Sequence, residues 1–241
     1  MATAETKKSA KTGIASNAVA GADRWQMFYG RGSGNVSPDE NLIRLVKGKY
    51  ADIPRSGRMI DVGFGRGANM ILFAQNGFEA HGLEVSEASV QAAKDLEPLA
   101  GVTLEVGLLS GTRLPYPDGF FDIVLSWNAV YYYGSRTLVR EALADFHRVL
   151  RPGGVLLMSL IHPNSFMVHR FSADQGDGAH KIDRASEHDT REGLTIFYDG
   201  TSSGWRRLLS PFADVEEGYA ECDLFAPDRR DAWRLFLARK G

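Results

Sequence analysis

The stretch Arg58-Met59-Ile60-Asp61-Val62-Gly63-Phe64-Gly65-Arg66-Gly67-Ala68-Asn69-Met70 decides the fold. Its apolar opening reads as a short strand, its three glycines at alternate positions as a tight turn, and its end as the start of a helix. Glycine reaches positive φ without steric cost, and its missing side chain lets backbone come close to a ligand. The helix that follows offers free N–H groups to an anionic or strongly polar group. The segment is therefore a candidate cofactor loop. Gly63-x-Gly65-x-x-Ala68 fits the dinucleotide fingerprint, so a nicotinamide cofactor is one reading of it.

Downstream, strands and helices alternate. A helix over about 66–76 is closed by Asn76-Gly77. Glu79 to Glu84 is a second strand, and Ser86 caps a helix to about Leu96. Thr103 to Leu108 is a third strand, Leu114 to Gly119 a turn-rich loop, and Phe121 to Trp127 a fourth strand. A helix from about Arg136 to Leu150 is stopped by Arg151-Pro152-Gly153-Gly154, and Val155 to Ile161 is a fifth strand. That last run is almost wholly apolar, as a parallel strand buried on both faces requires. Gly218 to Phe225 and Asp231 to Ala238 read as two closing strands, linked by a short turn over Ala226 to Arg230. Upstream, Asp23 to Tyr29 is an aromatic helix ending at Gly30. Ser37-Pro38-Asp39-Glu40 reads as a helix start with Ser37 as N-cap, and Leu42, Ile43, Leu45, Val46 and Tyr50 as the apolar face. The alternation predicts an α/β doubly wound sheet.

Composition excludes several function classes. The 241 residues are 44% hydrophobic and 24% charged, which suits one globular domain with an insertion. A net charge of −2 gives no field to draw nucleic acid or an anionic membrane. The single cysteine, Cys222, leaves no intrachain disulfide framework. His162, His169, His180 and His188 have no regular metal spacing, so no metal is expected. No apolar run is long enough to span a bilayer, and Lys7 and Lys8 are not followed by an apolar signal region. The expected location is the cytoplasm, as a monomer or homodimer.

Asp61-Val62-Gly63-Phe64-Gly65-Arg66-Gly67 also resembles motif I of the class I S-adenosylmethionine (SAM) dependent methyltransferases. Further features resemble that family in the right order. Glu84 ends the second strand, and Leu114-Pro115-Tyr116-Pro117-Asp118-Gly119-Phe120-Phe121-Asp122 runs into the fourth. The next helix ends in Arg148-Val149-Leu150-Arg151-Pro152-Gly153-Gly154. The resemblance covers roughly residues 58–161. It implies a Rossmann-like, seven-stranded, mostly parallel sheet with an antiparallel last strand.

It also implies a small-molecule methyltransferase with SAM as cofactor and S-adenosylhomocysteine (SAH) as product. Glu84 would accept from the ribose hydroxyls, and Gly63, Phe64, Gly65 and Gly67 would shape the loop around the methionine part. Asp61 would order that loop or reach the ammonium group. The family's adenine-binding acid after the third strand has no counterpart. Val85, Leu109 and Ser110 are left to hold the base. Arg66 either reaches the cofactor carboxylate or points to solvent.

The acceptor is expected past the carboxyl ends of strands four and five. Ser126 and Trp127 are expected to hold the cofactor, Trp127 and Asn128 to border the transferred methyl, and Tyr132 in the run Tyr131-Tyr132-Tyr133 to line the acceptor side. His162 is the candidate general base, because imidazole titrates near neutrality. The resulting organisation is a disordered tail over 1–20, a helical lid over 21–57 and a SAM-binding core over 58–161. A substrate-lid insertion over 162–213 and closing strands over 214–241 complete it. Two other readings stand beside the O- or N-methyltransferase: an NAD(P)-dependent oxidoreductase, and a SAM-binding partner without catalysis.

Overall fold

The sequence alternates short apolar runs with amphipathic ones, and the computed structural model turns them into a layered α/β protein. It describes residues 21–48, 50–183, 191–223 and 230–241. The tail over 1–20, His188 and most of the link over 226–230 lie outside the described residues. The helices are α1 (Ala22–Gly30), α2 (Glu40–Lys47), α3 (Ala68–Gln75), α4 (Glu87–Ala100), α5 (Arg136–Val149) and α6 (Ser202–Leu208). The strands are β1 (Gly57–Val62), β2 (Phe78–Glu84), β3 (Leu104–Leu108), β4 (Phe121–Trp127), β5 (Leu150–Ile161), β6 (Ala179–Lys181), β7 (Thr195–Phe197), β8 (Asp214–Cys222) and β9 (Asp231–Arg239).

Seven strands form one sheet in the order β3-β2-β1-β4-β5-β9-β8. The first five run parallel, and β9 is antiparallel to both β5 and β8. Period-two alternation splits the sheet's side chains between two cores. Ile60, Val62, Val124, Leu156 and Met158 face α5, with Phe146 and Leu143, and α6, with Trp205. Met59, Ile123, Leu125 and Leu157 face Leu42 of α2 and Met70 and Phe73 of α3. Each fully buried large side chain contributes roughly 1.5–3 kcal/mol, so the sheet holds the strand ends, and whatever sits on them, in a rigid frame.

Several boundaries differ from the sequence reading. Asp39, not Ser37, caps α2: its carboxylate accepts from the Asn41 N–H at 2.9 Å. The Asp39 N–H in turn donates to Asn69 Oδ1 at 3.0 Å, tying the cap to α3. Tyr50 is 77% exposed, because the helix has ended at Gly48 before its turn would face the core. β5 starts at Leu150 rather than Val155, with Arg151-Pro152-Gly153-Gly154 as an irregular stretch. Leu150 pairs with Phe121 and Val155 with Ile123, so five steps of one strand oppose two of the other. β8 starts at Asp214, four residues before the expected Gly218. It is the sheet's last strand and exposed along its length, so pairing with β9 and not apolar alternation defines it.

Candidate functional site

β1 pairs with β2 on one side and β4 on the other, so the chain order reverses between β1 and β4. In open α/β sheets such a reversal leaves a crevice at the carboxyl ends of the strands. Two adjoining cavities occupy it, with about 480 and 640 Å3 of empty space. The first lies among Trp25, Glu84, Val85, Leu109, Ser126 and Tyr132. The second lies among Asn35, Ser37, Phe64, Gly65, Arg66, Asn69 and Trp127. Gly63, Tyr29 and Asn128 line both, at the point where the cavities meet.

The glycine turn between β1 and α3 forms the floor of this junction. Gly63, Gly65 and Gly67 have φ of 83°, 62° and 86°, a region that side chains disfavour. A Cβ on Gly63 would lie 2.5 Å from the Ala129 Cβ, and one on Gly65 would lie 3.2 Å from the Tyr29 hydroxyl. Gly67 does a different job from the one expected. It lines neither cavity, and a Cβ there would stand 3.0 Å from Ala93 Cβ of α4. It lets α3 and α4 approach, and Ala68 takes its place at the polar cavity.

Two carboxylates lie beneath the turn. Asp61, on β1, is 1% exposed, and neither of its oxygens has a hydrogen-bond partner. Burial pushes its pKa well above the ordinary value, and the nearby Glu84 adds to the rise. Glu84 ends β2 and is 5% exposed. Burial raises its pKa to about 7, against the pull of the Val85, Gly65 and Ser86 N–H groups. Asp61 therefore does not order the loop through hydrogen bonds. The Glu84 carboxylate accepts from the Val85 N–H.

β4 leaves the sheet at Trp127, and Asn128 turns the chain with a left-handed φ of 57°. The Asn128 N–H donates to Ser159 Oγ at 2.8 Å, and that hydroxyl donates to Asn128 Oδ1 at 2.5 Å. A 3-10 helix over Val130–Tyr133 follows, with all three tyrosines buried. Tyr132 and Tyr133 line the first cavity, and Tyr131 does not. Burial raises the pKa of Tyr131 and Tyr133, so both hydroxyls are neutral donors at ordinary pH.

α1 roofs the cleft although none of its residues is fully buried. Gln26 Oε1 accepts from Ser86 Oγ and from the Ala88 N–H, both at 3.0 Å, at the start of α4. The Trp25 ring stacks on Tyr29 and meets Tyr132 edge-on at 5.0 Å between centroids. Burial, then Glu84, Tyr132 and Asp61, keep the Tyr29 hydroxyl protonated. Arg66 lines the second cavity. Its Nη1 donates to the Gly32 carbonyl at 2.6 Å and lashes the loop after α1 to the glycine turn.

Of the expected site residues, Gly63, Phe64, Gly65, Glu84, Val85, Leu109, Ser126, Trp127, Asn128 and Tyr132 line the cleft. Ser110 is exposed and lines neither cavity; the chain turns outward after the Leu109 N–H bonds the Glu84 carbonyl at 2.7 Å. His162 also lines neither cavity. Its N–H bonds the Ala232 carbonyl of β9, and its ring lies 5.4 Å from that of Tyr219 on β8. β5 runs one strand too far along the sheet to deliver it to the junction. Trp25 and Tyr29 belong to the segment expected to fold over the cofactor, and they line the cleft; Ser159 was not singled out. Tyr29 gives no sequence signal of its own, and Ser159 reads as one polar residue in an apolar strand. Among the described residues no cluster of three or more His, Cys, Asp or Glu side chains could hold a metal ion.

A family model described as "Methyltransferase domain" matches residues 60–158. A dTDP-3-amino-3,4,6-trideoxy-alpha-D-glucopyranose N,N-dimethyltransferase from Streptomyces venezuelae is 30% identical over 71% of this chain and 70% of its own length. The chain belongs to the class I S-adenosylmethionine-dependent methyltransferases. The dinucleotide reading of Gly63-x-Gly65-x-x-Ala68 falls with that assignment, since SAM is the family's cofactor. A 27-O-demethylrifamycin SV methyltransferase from Amycolatopsis mediterranei is 34% identical over 50% of this methyltransferase and 45% of its own length. The chain spans a third to just under half of the length of several other curated relatives. A methyltransferase structure from Methanosarcina mazei shares the fold, with a TM-score of 0.65 and 16% identity over 84% of this chain and 98% of that one. Among the described residues no helix is long and apolar enough to cross a membrane.

The methyltransferase cleft fits such a cofactor on its own chemistry. Buried polar atoms without partners are few in a folded protein and cost about 1–3 kcal/mol each. Here both Asp61 oxygens, Ser126 Oγ and Tyr133 Oη are such atoms. Ser126 and Tyr133 line the first cavity; Asp61 lines neither and lies on β1, two residues before Gly63 at the junction. A ligand carrying an ammonium, hydroxyls and an aromatic base satisfies this set.

Proposed function

We propose that this chain transfers a methyl group from SAM to an oxygen or nitrogen of a small molecule. The observation that carries the reading is the partnerless Asp61 carboxylate beside Glu84, near a glycine turn in which a Cβ on Gly63 would meet Ala129 at 2.5 Å. When bound, the cofactor supplies an electrophilic methyl on a sulfonium. In this reading Glu84 accepts from the ribose hydroxyls, and Val85 and Leu109 flank the base. Asp61 faces the ammonium, and Gly63 and Gly65 admit the methionine backbone. Trp25, Tyr29 and Tyr132 exclude water from the junction, where alignment of nucleophile and methyl does most of the catalytic work. The segments 21–57 and 162–213 serve as lid and acceptor wall. The names of the two relatives, one acting on an amino sugar and one on a rifamycin, support a small acceptor. A net charge of −2 is consistent with an acceptor other than nucleic acid.

Calorimetry against SAM, SAH and NAD(P), followed by a radiolabel screen of amino sugars and hydroxylated natural products, tests this. SAH binding with label transfer is expected. Dinucleotide binding without SAH binding would overturn the reading, and SAH binding without transfer to any acceptor would leave a binding protein.

Glu84 makes the affinity depend on pH. Ribose hydroxyls donate to the ionised carboxylate, so below about 7 a proton must leave as the ligand enters. SAH affinity is expected to rise between pH 5.5 and 8, by up to about tenfold per unit on the acid side. In Glu84→Gln the slope should shrink to the part that Asp61 contributes, and the affinity should fall by roughly 1.5–3 kcal/mol. A flat wild-type profile by calorimetry would remove Glu84 from the ribose.

A further inference from the structure

The bend after β4 points to a residue of β5 that acts on the cofactor from behind. We propose that Ser159 is a positioning residue for the cofactor, acting through Asn128; this rests on the methyltransferase reading above. Ser159 is 1% exposed and pairs with Trp127 across β4 and β5, so its hydroxyl sits under the first residue beyond the strand. A serine hydroxyl has one donor and two acceptor positions. Asn128 takes one of each: its N–H donates to Oγ at 2.8 Å, and Oγ donates to its Oδ1 at 2.5 Å.

Two consequences follow for Asn128. Its backbone is held at φ 57°, where a non-glycine residue costs free energy unless its surroundings fix it. That turn sets Ala129 against Gly63, where a glycine Cβ would lie 2.5 Å from the Ala129 Cβ. Its side-chain amide is also fixed in one orientation. With Oδ1 bonded to Ser159, the NH2 is what Asn128 can offer to the cleft. Asn128 lines both cavities at their junction, beside Gly63 and Tyr29. A donor there is placed to meet a ribose hydroxyl or a carboxylate oxygen of the cofactor. Ser159 touches neither cavity, so its whole effect on binding runs through Asn128.

The rival account is that asparagine adopts left-handed backbone by itself, as it often does in turns. Ser159 would then be a satisfied core hydroxyl. SAH titration by calorimetry separates the two, with thermal unfolding recorded for every variant. Ser159→Ala and Asn128→Ala are each expected to weaken SAH about ten- to thirtyfold. The double variant should bind within threefold of Asn128→Ala alone, because the serine then keeps only the backbone N–H of residue 128 and has no side-chain amide left to orient. Ser159→Thr, which keeps the hydroxyl, should stay within threefold of wild type. If Ser159→Ala does not fold, Ser159→Cys carries the same comparison at conserved volume. A general loss of packing would lower the melting temperature but would not make the two effects coincide. Ser159→Ala binding within twofold of wild type, or losses that multiply in the double variant, would overturn the proposal. Wild-type protein that binds no SAH would instead strike the methyltransferase reading itself.

Discussion

Gly63→Val abolishes cofactor binding, with SAH affinity at least a hundredfold lower, while the sheet still folds. Gly63 sits at φ 83°, and a β-branched residue there is strained by about 1–3 kcal/mol before any contact is counted. The first carbon added already lies 2.5 Å from Ala129 Cβ, and valine adds two methyls beyond it. Relief requires Ala129 to retreat, and Ala129 is one residue from Asn128, which Ser159 holds. The loop must open or the cleft must close, and either outcome takes the floor from under the ligand. Gly77→Ala is the control. Gly77 also has positive φ, at 90°, but nothing stands within 4 Å of its added Cβ. It should cost stability of about 1 kcal/mol and leave SAH binding unchanged. Calorimetry and thermal unfolding of both variants make the comparison. SAH affinity within fivefold of wild type in Gly63→Val would show that the turn is not a cofactor cradle.

Asp61→Asn is expected to weaken SAH binding by about thirty- to a hundredfold and to raise the melting temperature of the ligand-free protein. The loss is about 2–3 kcal/mol, the scale for a hydrogen bond to a charged group inside a pocket. The gain arises because a buried carboxylate without a partner is costly as an anion. Its folded pKa lies above its unfolded one, so the folded state holds the proton longer. Stability then falls as pH rises from the unfolded value near 3.8 through the raised folded value. The advantage of the uncharged amide should therefore be absent in acid, grow with pH and level off above the folded pKa. Melting curves from pH 4 to 9, with and without SAH, measure both effects. A variant less stable than wild type at pH 8 would mean that Asp61 supports the fold and not the ligand.

Much of this architecture was legible because it is local and repetitive. β4 begins and ends where its apolar run does, and Glu84 falls at the end of β2 as its place in the pattern implied. The positions that escaped were set by pairing or by distance. β8 opens with Asp214, Glu216 and Glu217 on an uncovered edge, so the four residues before the expected Gly218 have no apolar period to read. His162 has the chemistry of a base, but its strand ends against β8 and β9, and no local signal reports that. Gly67 reads like its neighbours Gly63 and Gly65 and serves helix packing instead, because only the fold brings Ala93 beneath it. Ser159 looks like a polar interruption in β5 until Asn128 is placed over it.

Tyr29 reaches from α1 to the meeting point of the two cavities. A single ligand that extends through both passes along that ring. The ring is stacked on Trp25, and one turn away Gln26 fastens the same helix to α4. Clearing Tyr29 is thus tied to unfastening a helix, a slower event than the flip of one side chain. An exchange of cofactor that needs α1 to move would keep the tempo of that helix, and turnover would then have a ceiling that acceptor chemistry cannot raise.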